Sequence, residues 1–306
     1  MSDPDSRFPT PDPRFPTPPM PYSLTLTHLY PDHLNLYGDT GNLIVLRRRC
    51  QWRGIDCTIT PLTMGDRPKP GQTDLYFMGG GQDNDQVAVV EDFHQLKADT
   101  IKADTEAGVV FLGVCGGYQL MGNTFLMGNG QETPGLGIIN VNTKAPGTEV
   151  KQRCIGNLVA EIPDAMYQDI QSLYADPQTA NSQTTDARTT DSRTGAPHTI
   201  PKTLVGFENH SGQTFLGEGV EPLAKTIAGF GNNAAADYEG ARYKNVFGSY
   251  MHGSLLPKNP HFADYLIGLA LRRKYQDPTL TLPPLSDTEE LEAHAYAVAR
   301  YGPTRD

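Results

Sequence analysis

The stretch AGVVFLGVCGGYQ, residues 107–119, joins a run of apolar residues to a cysteine and two consecutive glycines. An apolar run bounded by glycine predicts a short buried strand, and the YQLMG that follows can begin a helix. The G-x-C-x-G at 113–117 therefore has the form of a nucleophile elbow, a tight strand-to-helix turn in which glycines avoid steric collisions. A buried structural cysteine beside a glycine turn is the alternative interpretation.

The elbow interpretation assigns reactive chemistry to Cys115. Such a turn exposes the sulfur at the carboxyl edge of a sheet, where backbone N–H groups favour a thiolate and can receive an oxyanion. A thiolate that forms acyl intermediates needs a proton shuttle, normally a histidine. Of the eight histidines, His210 and His252 both follow strand-like segments and lie close to glycine. We favour His252, which ends the more strand-like segment, and His210 is the competing candidate.

Strand-like and helix-like segments alternate through the first half of the chain. Strands are predicted at SLTLTHLY, DCTITPL, DLYFMGGG and GVVFLGVC, and helices at 41–52 and 85–105. This alternation predicts an α/β fold with a mostly parallel central sheet flanked by helices. After Gly135, closely spaced strands such as LGIINV and NVFGSY favour additional antiparallel hairpins, and two helices are predicted at about 260–275 and 286–300.

Two segments of biased composition interrupt this pattern. Residues 1–21 repeat RFPTP and are dense in proline, which predicts a disordered N-terminal arm. A low-complexity insertion is predicted at about 164–201, and its Thr- and Ser-rich part, from about 176 to 200, has little to bury. We therefore expect one domain over residues 22–306, containing this insertion.

The composition limits the classes of function. With 25 Lys+Arg against 35 Asp+Glu, the chain is acidic, which argues against sequence-independent binding of nucleic acid or anionic lipid. The basic run LRRRC at 46–50 is predicted to be the solvated face of a helix. No signal peptide or transmembrane run is recognised, and the four scattered cysteines disfavour a zinc site or a disulfide framework. A reducing cytoplasm is the expected location.

Several motifs resemble a known family. GVCGGYQ and YMHG resemble the class I glutamine amidotransferases, in the branch with cobyric-acid-synthase-type domains. Within this branch, four further stretches resemble the GatD-type glutaminase subunits of lipid II isoglutaminyl synthase, and the similarity spans about residues 23–275. These stretches are LNLYGDTGN (34–42), MGGGQDNDQ (78–86), VGFENHSGQT (205–214) and HGSLLPKNPHFADYL (252–266).

The resemblance implies that L-glutamine is hydrolysed to glutamate and ammonia through a cysteine thioester. Cys115 would attack the side-chain amide carbon, and His252 would protonate the departing ammonia and then activate water. Gly116 and the Gly80–Gly81 region would stabilise the oxyanion, since backbone in glycine-rich turns can approach a ligand closely. Gln119, after the elbow, would contact the substrate.

Two further site residues follow from the resemblance. Arg153, in KQRCIGNL, matches by its place before the next strand an arginine that holds the glutamine α-carboxylate, for which a guanidinium fork is suited. A surface arginine is the alternative. Many class I amidotransferases carry a glutamate two residues after the histidine, but this position is Ser254 here. Glu208, another carboxylate or an acidic group of a partner chain would then orient His252.

The resemblance also implies a partner. The chain contains no G-x-x-x-x-G-K-[ST] stretch for ATP, and no cofactor or metal is expected in it. A MurT-type, Mur-ligase-like subunit with ATP and Mg²⁺ would activate the D-glutamate α-carboxylate of lipid II, and ammonia would convert it to D-isoglutamine for peptidoglycan biosynthesis. This heterodimer would act in the cytoplasm, at the inner face of the membrane. A stand-alone cysteine hydrolase and an inactive scaffold are the alternatives.

Overall fold

The computed structural model describes residues 21–146, 153–174, 188–190, 197–253 and 255–303, with the backbone alone for 188–190, 197 and 198. The predicted proline-rich arm, up to residue 20, lies outside the described residues. The same is true of 175–187 and 191–196 within the predicted insertion.

The structure consists of sixteen strands and eight helices over the described ranges. The strands are β1 (Ser23–Leu29), β2 (Asp56–Leu62), β3 (Leu75–Met78), β4 (Val110–Val114), β5 (Thr124–Leu126), β6 (Glu132–Pro134), β7 (Val141–Lys144), β8 (Cys154–Glu161), β9 (Arg188–Thr190), β10 (Pro197–Thr199), β11 (Thr203–His210), β12 (Gln213–Leu216), β13 (Ala224–Ala228), β14 (Tyr238–Glu239), β15 (Ala241–Tyr243) and β16 (Val246–Ser249). The helices are α1 (Thr40–Trp52), α2 (Asp83–Leu96), α3 (Ala98–Glu106), α4 (Gly116–Met121), α5 (Asp164–Ser172), α6 (Leu255–Lys258), α7 (Pro260–Tyr275) and α8 (Thr288–Tyr301).

A six-stranded sheet forms the centre of the fold, in the order β15–β16–β4–β3–β1–β2. Every neighbouring pair is parallel except β15–β16. Each residue of β3 and β4 is buried, as expected for inner strands of a parallel sheet with helices packed against it. The predicted α/β fold class is confirmed.

The strand β16 departs from the prediction made for NVFGSY. It forms the expected antiparallel hairpin with β15, but it also joins the central sheet as the parallel neighbour of β4. Ser249 lies opposite Val114 in this ladder, and the Cys115 N–H donates to the Ser249 carbonyl at 2.8 Å. The segment that leads to His252 therefore ends at the same sheet edge as the predicted elbow.

Two four-stranded sheets pack beside the centre, in the orders β11–β8–β13–β14 and β12–β7–β5–β6. Their pairs are antiparallel, as the sequence predicts, apart from the parallel pair β5–β7. The β8–β11 ladder pairs His210 with Cys154 and thus brings the end of β11 beside Arg153. The LGIINV segment contributes a strand only from Val141 onward.

The single helix expected over 85–105 is divided near Lys97 into α2 and α3. The start of the predicted insertion also differs, because residues 164–172 form α5 and bury Met166 and Ile170 in the core. Residues 188–190 and 197–199 pair as the antiparallel strands β9 and β10.

The basic run in α1 is only partly on the surface. Arg49 is 1% exposed, and its guanidinium pairs with Asp264 of α7 and with Asp287, at 2.6 Å each. Arg53, one turn later, also pairs with Asp264, at 2.5 Å. The solvated-face prediction is wrong for Arg49, because a buried carboxylate from α7 compensates the charge that the helix brings inward.

Among the helices that the structure describes, none has both the length and the apolar character needed to cross a membrane.

Candidate active site

Cys115 occupies the turn between β4 and α4. Its backbone has φ 49° and ψ −106°, outside the usual regions for a residue with a side chain. A Cβ on Gly117 would lie 2.4 Å from the Met78 carbonyl oxygen, and one on Gly116 would lie 2.7 Å from the Gly81 nitrogen. The close packing of this turn therefore requires the two glycines, and the strand–turn–helix geometry predicted for GVCGGYQ is present.

His252 lies across Gly80 from Cys115. A Cβ placed on Gly80 would be 3.0 Å from His252 Cε1 and 3.3 Å from Cys115 Cβ, so both side chains flank this glycine. The His252 ring is 1% exposed, and neither of its nitrogens has a hydrogen-bond partner among the described residues. The ring is therefore available to exchange a proton with a group held at Cys115.

The carboxylate beside His252 belongs to Asp39. Its Oδ2 accepts a hydrogen bond from the Gly80 N–H at 2.6 Å, and its Oδ1 lies 3.4 Å from His252 Nδ1. Asp39 is fully buried and follows a short 3-10 turn, Leu36–Gly38, that precedes α1. Asp39, His252 and Cys115 thus converge on Gly80 from three distant parts of the chain.

The pKa of His252 reflects these neighbours. Burial acts to lower it, but the Asp39 carboxylate and the Cys115 side chain outweigh burial and raise the pKa to about 10. His252 is consequently an imidazolium at neutral pH. A protonated ring at this place holds a proton that a leaving amine could take up.

Glu208, the candidate orienting carboxylate, points elsewhere. Along β11, neighbouring side chains alternate between the two faces, and the ring of Phe207 is the one that faces His252, with centroids 6.4 Å apart. The Glu208 carboxylate accepts the N–H groups of Phe230, at 2.7 Å, and Gly231, at 3.1 Å. The structure therefore corrects this assignment, and Asp39 takes the place proposed for Glu208.

His210, the competing histidine, has other contacts. Its ring stacks on Tyr250 with centroids 3.6 Å apart, and its Nδ1 lies 2.8 Å from the Gly212 carbonyl oxygen. Its Nε2 is 3.5 Å from the Glu208 carboxylate. His210 lines the same cavity as Cys115, but the Asp39 carboxylate lies beside His252.

The glycine-rich turn after β3 offers donors near the sulfur. The Gly80 N–H is occupied by Asp39, and the Gly80 carbonyl accepts the Leu36 N–H at 3.0 Å. No backbone hydrogen bond from the Gly81 N–H is found among the described residues, and the Gly116 N–H starts α4 without a partner inside the helix. Of the three predicted glycines, Gly80 supports Asp39, and Gly81 lines the cavity in front of Cys115.

A cavity of about 860 Å³ opens in front of Cys115. Gln119 lines it, with its carbonyl accepting Gln86 Nε2 at 2.9 Å and its amide nitrogen 3.3 Å from the Tyr250 hydroxyl. Arg153, the predicted carboxylate clamp, lies exposed at the cavity wall, and its Nε donates to Asn209 Oδ1 at 2.6 Å. The cavity therefore contains Cys115 and a cation able to hold a carboxylate. Within the described ranges, no group of three or more His, Cys, Asp and Glu side chains is arranged to hold a metal.

A cysteine elbow on a parallel sheet, with a histidine after the neighbouring strand, is the arrangement of a class I glutamine amidotransferase. The chain belongs to the CobB/CobQ-like glutamine amidotransferase domain family, which matches residues 25–260. The resemblance drawn from the motifs is thereby confirmed.

Relatives named in this comparison are similar over most of the chain. It is 32% identical over 268 residues to the subunit GatD of lipid II isoglutaminyl synthase (glutamine-hydrolyzing) from Streptococcus pneumoniae, covering 87% of each chain. The Staphylococcus aureus GatD is 32% identical over 253 residues, covering 83% of this chain and 86% of that one. A cobyric acid synthase from Pelotomaculum thermopropionicum is 26% identical over 184 residues, 58% of this chain and 29% of the relative.

Three residues of the site were not identified from the sequence, namely Tyr37, Asp39 and Asn209. The first two lie in LNLYGDTGN and the third in VGFENHSGQT, stretches that carried the family resemblance. The aspartate in the glycine-containing loop after β1 was the available signal, because such a loop ends at the carboxyl edge of the sheet beside the elbow.

Proposed function

We propose that this chain is the glutaminase subunit of a lipid II isoglutaminyl synthase. The observation that carries the proposal is the convergence of Cys115, His252 and Asp39 on Gly80, in a chain of a glutamine amidotransferase family. The names of the two GatD relatives support the choice of this complex over other amidotransferases.

The first half of the reaction forms a thioester. The Cys115 thiolate attacks the side-chain amide carbon of L-glutamine, and the carbonyl oxygen becomes an oxyanion that the Gly81 and Gly116 N–H groups stabilise. The carbon–nitrogen bond then breaks, and the His252 imidazolium transfers its proton to the departing nitrogen. The products are ammonia, a neutral His252 and a γ-glutamyl thioester on Cys115.

The second half releases glutamate. Neutral His252 takes a proton from water, and the resulting hydroxide adds to the thioester carbon. Collapse of this intermediate expels the Cys115 thiolate and regenerates the thiolate–imidazolium pair. Asp39 holds the ring in place and stabilises its protonated form through both halves.

Recognition of the free amino acid is assigned to the cavity wall. Arg153 binds the α-carboxylate, because its guanidinium is charged and planar and lies beside the cavity. Gln119 lines the floor, where its amide is held by Gln86 and Tyr250. These contacts would place the side-chain amide of glutamine at the sulfur.

The ammonia is used by a second subunit in this proposal. A MurT-type, Mur-ligase-like synthetase would bind ATP and Mg²⁺, phosphorylate the D-glutamate α-carboxylate of lipid II and receive ammonia to form D-isoglutamine. The two chains would form a cytoplasmic heterodimer at the inner membrane face and serve peptidoglycan biosynthesis.

The test follows labelled nitrogen through the complex. The full chain is co-expressed with its synthetase partner and supplied with ATP, Mg²⁺, lipid II and L-glutamine labelled with ¹⁵N at the side-chain amide. We expect ¹⁵N in the isoglutamine of lipid II, together with stoichiometric glutamate. Cys115→Ala should abolish both signals, whereas ammonium salts should restore amidation by the Cys115→Ala complex.

Cys57→Ala is the matched control, since Cys57 is a second free cysteine, on β2 away from the elbow. It should retain labelled amidation. Glutamate release that persists in Cys115→Ala would refute the assigned nucleophile. A complex that hydrolyses no glutamine at all would favour an inactive scaffold, and hydrolysis of unrelated amides without glutamine preference would favour a stand-alone hydrolase.

A further inference from the structure

Asn209, near the end of β11, contacts three parts of the candidate active site. Its side-chain carbonyl accepts Arg153 Nε at 2.6 Å, and its side-chain amide nitrogen donates to the Tyr37 hydroxyl at 2.9 Å. Its backbone carbonyl oxygen lies 4.0 Å from Cys115 Sγ. One residue thus lies between the proposed carboxylate clamp, the nucleophile and the loop that carries Asp39.

The chemistry of these partners fixes the orientation of the Asn209 amide. A guanidinium offers donors only, so the amide oxygen must face Arg153. The amide NH₂ must then face Tyr37, whose hydroxyl oxygen can accept. Neither end of the amide can rotate away without losing a hydrogen bond. Arg153 uses its Nε for this bond, and no hydrogen bond from its two terminal nitrogens is found within the described ranges.

Tyr37 extends the network to the acid–base residue. Its ring packs edge-on against His252, with centroids 4.7 Å apart, and it lines the cavity while remaining 53% exposed. Its backbone is in the left-handed region, with φ 51°. A tyrosine in this conformation needs supporting contacts, and the hydrogen bond from Asn209 is one of them.

We propose that Asn209 is a positioning residue that sets the Arg153 guanidinium at a fixed place relative to Cys115, with its own amide held in orientation by the Tyr37 hydroxyl. The inference rests on the proposed function of Arg153 as the clamp for the glutamine α-carboxylate. Through this arrangement the site selects substrates that carry an α-carboxylate at the correct distance from the amide. Asn209 itself contacts neither reacting atom through its side chain.

The strength of the Asn209–Arg153 hydrogen bond sets the change in rate or affinity expected when it is lost. A hydrogen bond to a charged group is worth about 1.5–3 kcal/mol, which corresponds to about 10- to 100-fold in a rate or an affinity. Loss of the Asn209 side chain should therefore act on reagents that use Arg153, and should have little effect on reagents that use Cys115 alone.

Two electrophiles distinguish an effect on binding at Arg153 from an effect on the reactivity of Cys115. 6-Diazo-5-oxo-L-norleucine carries the α-amino acid group of glutamine, whereas iodoacetamide carries no carboxylate, and both alkylate a reactive cysteine. We would measure their inactivation rates with the full chain, alone and with its synthetase partner, for wild type, Asn209→Ala, Asn209→Leu and Arg153→Ala. Asn142→Ala, on the exposed face of β7, is the matched asparagine control and should behave as wild type.

In both Asn209 variants, inactivation by the glutamine analogue should slow about 10- to 100-fold, while alkylation by iodoacetamide stays within about twofold. On the Arg153→Ala background, Asn209→Ala should add less than about threefold, because residues that act through one contact are not additive. Tyr37→Phe, which removes only the hydroxyl, should show a smaller loss in the same direction.

The inference is overturned by equal slowing of the two reagents, by an unchanged rate with the analogue, or by additive effects in the double variant. A wild-type protein that reacts with iodoacetamide but not with the analogue would instead overturn the glutamine assignment itself, and this inference with it.

Discussion

The Oδ1 atom of Asp39 lies 3.4 Å from Nδ1 of His252, and both residues are buried. The aspartate comes from the loop before α1, whereas the histidine follows β16, far along the chain. Asp39 is thus the carboxylate beside His252, whereas the resemblance to the family led us to expect a glutamate two residues after the histidine, where this chain has Ser254. The loop that follows β1 therefore supplies the carboxylate at this sheet edge.

Asp39→Asn should keep the turn but weaken catalysis. The asparagine retains an oxygen for the Gly80 N–H, but it removes the negative charge that favours protonated His252. We expect kcat for glutamine hydrolysis to fall about 10²- to 10⁴-fold, the usual contribution of a general acid–base group. Steady-state ammonia release, with thermal unfolding as the check on folding, measures this.

Glu208→Gln is the matched comparison, because Glu208 was the carboxylate expected from the sequence. The variant retains an acceptor oxygen for the Phe230 N–H and lies on the other face of β11 from Phe207, which faces His252. Its kcat should remain far above that of Asp39→Asn. The reverse order of the two variants would return the orienting role to Glu208.

The pH profile should follow His252. Since its pKa is raised from 6.5 to about 10, the imidazolium needed to protonate ammonia persists through neutral pH, and kcat/KM should decline on the alkaline side only near pH 10. In Asp39→Asn this decline should begin at lower pH. Because the ring interacts with Cys115, the observed value belongs to the pair. A wild-type decline close to pH 6.5 would contradict the assigned ion pair.

The free energy of unfolding should also depend on pH through His252, and the raised pKa fixes the direction of that dependence. The folded-state pKa of His252 exceeds its unfolded value of 6.5, so the protonated ring stabilises the fold. This contribution is complete below pH 6.5 and is lost as the pH rises through about 10. The difference in Tm between wild type and His252→Gln should therefore narrow over that interval, as followed by thermal denaturation in a pH series.

Gly80→Ala should damage the site with little damage to the fold. The added methyl group would lie 3.0 Å from His252 Cε1 and 3.1 Å from Asp39 Oδ2, closer than most Cβ contacts. We expect kcat to fall by about 10-fold or more, since small misplacements of catalytic groups are costly. Gly128→Ala is the control, because its nearest contact is 3.8 Å away. Equal activity of the two variants would contradict the convergence on Gly80.

Asp264→Asn should destabilise the whole domain. Asp264 is fully buried between Arg49 and Arg53, and these two charges hold its pKa well below the usual range although burial acts to raise it. Removing one partner of a buried ion pair costs about 3–5 kcal/mol, because it leaves uncompensated charge. Urea unfolding measures the loss. Asp164→Ala, in an exposed pair with Lys202, is the control and should change stability little.

Local patterns in the sequence were sufficient to predict the central strands and the turn at Cys115. The apolar run before Cys115 and the glycines after it specify their turn through short-range sterics, and β4 and α4 follow as predicted. The contact between Asp39 and His252 depends on the parallel pairing of β4 with β16, which no local period encodes. Arg49 was misplaced for a related reason, since its burial depends on a carboxylate more than 200 residues away.

The ladder between β4 and β16 also determines which kinds of mutation the active site can tolerate. Its register pairs Val114 with Ser249, one residue before the cysteine and three before the histidine. A slip of one residue would displace His252 by about 3.3 Å and reverse the faces of the strand. Substitutions keep the number of residues between the Val114–Ser249 pair and the two side chains Cys115 and His252. A single-residue insertion or deletion between β16 and His252 changes that number, and it could spare the fold and still abolish the chemistry. In families built on this sheet, gaps in an alignment at this point should therefore be more informative about lost activity than substitutions in the strands.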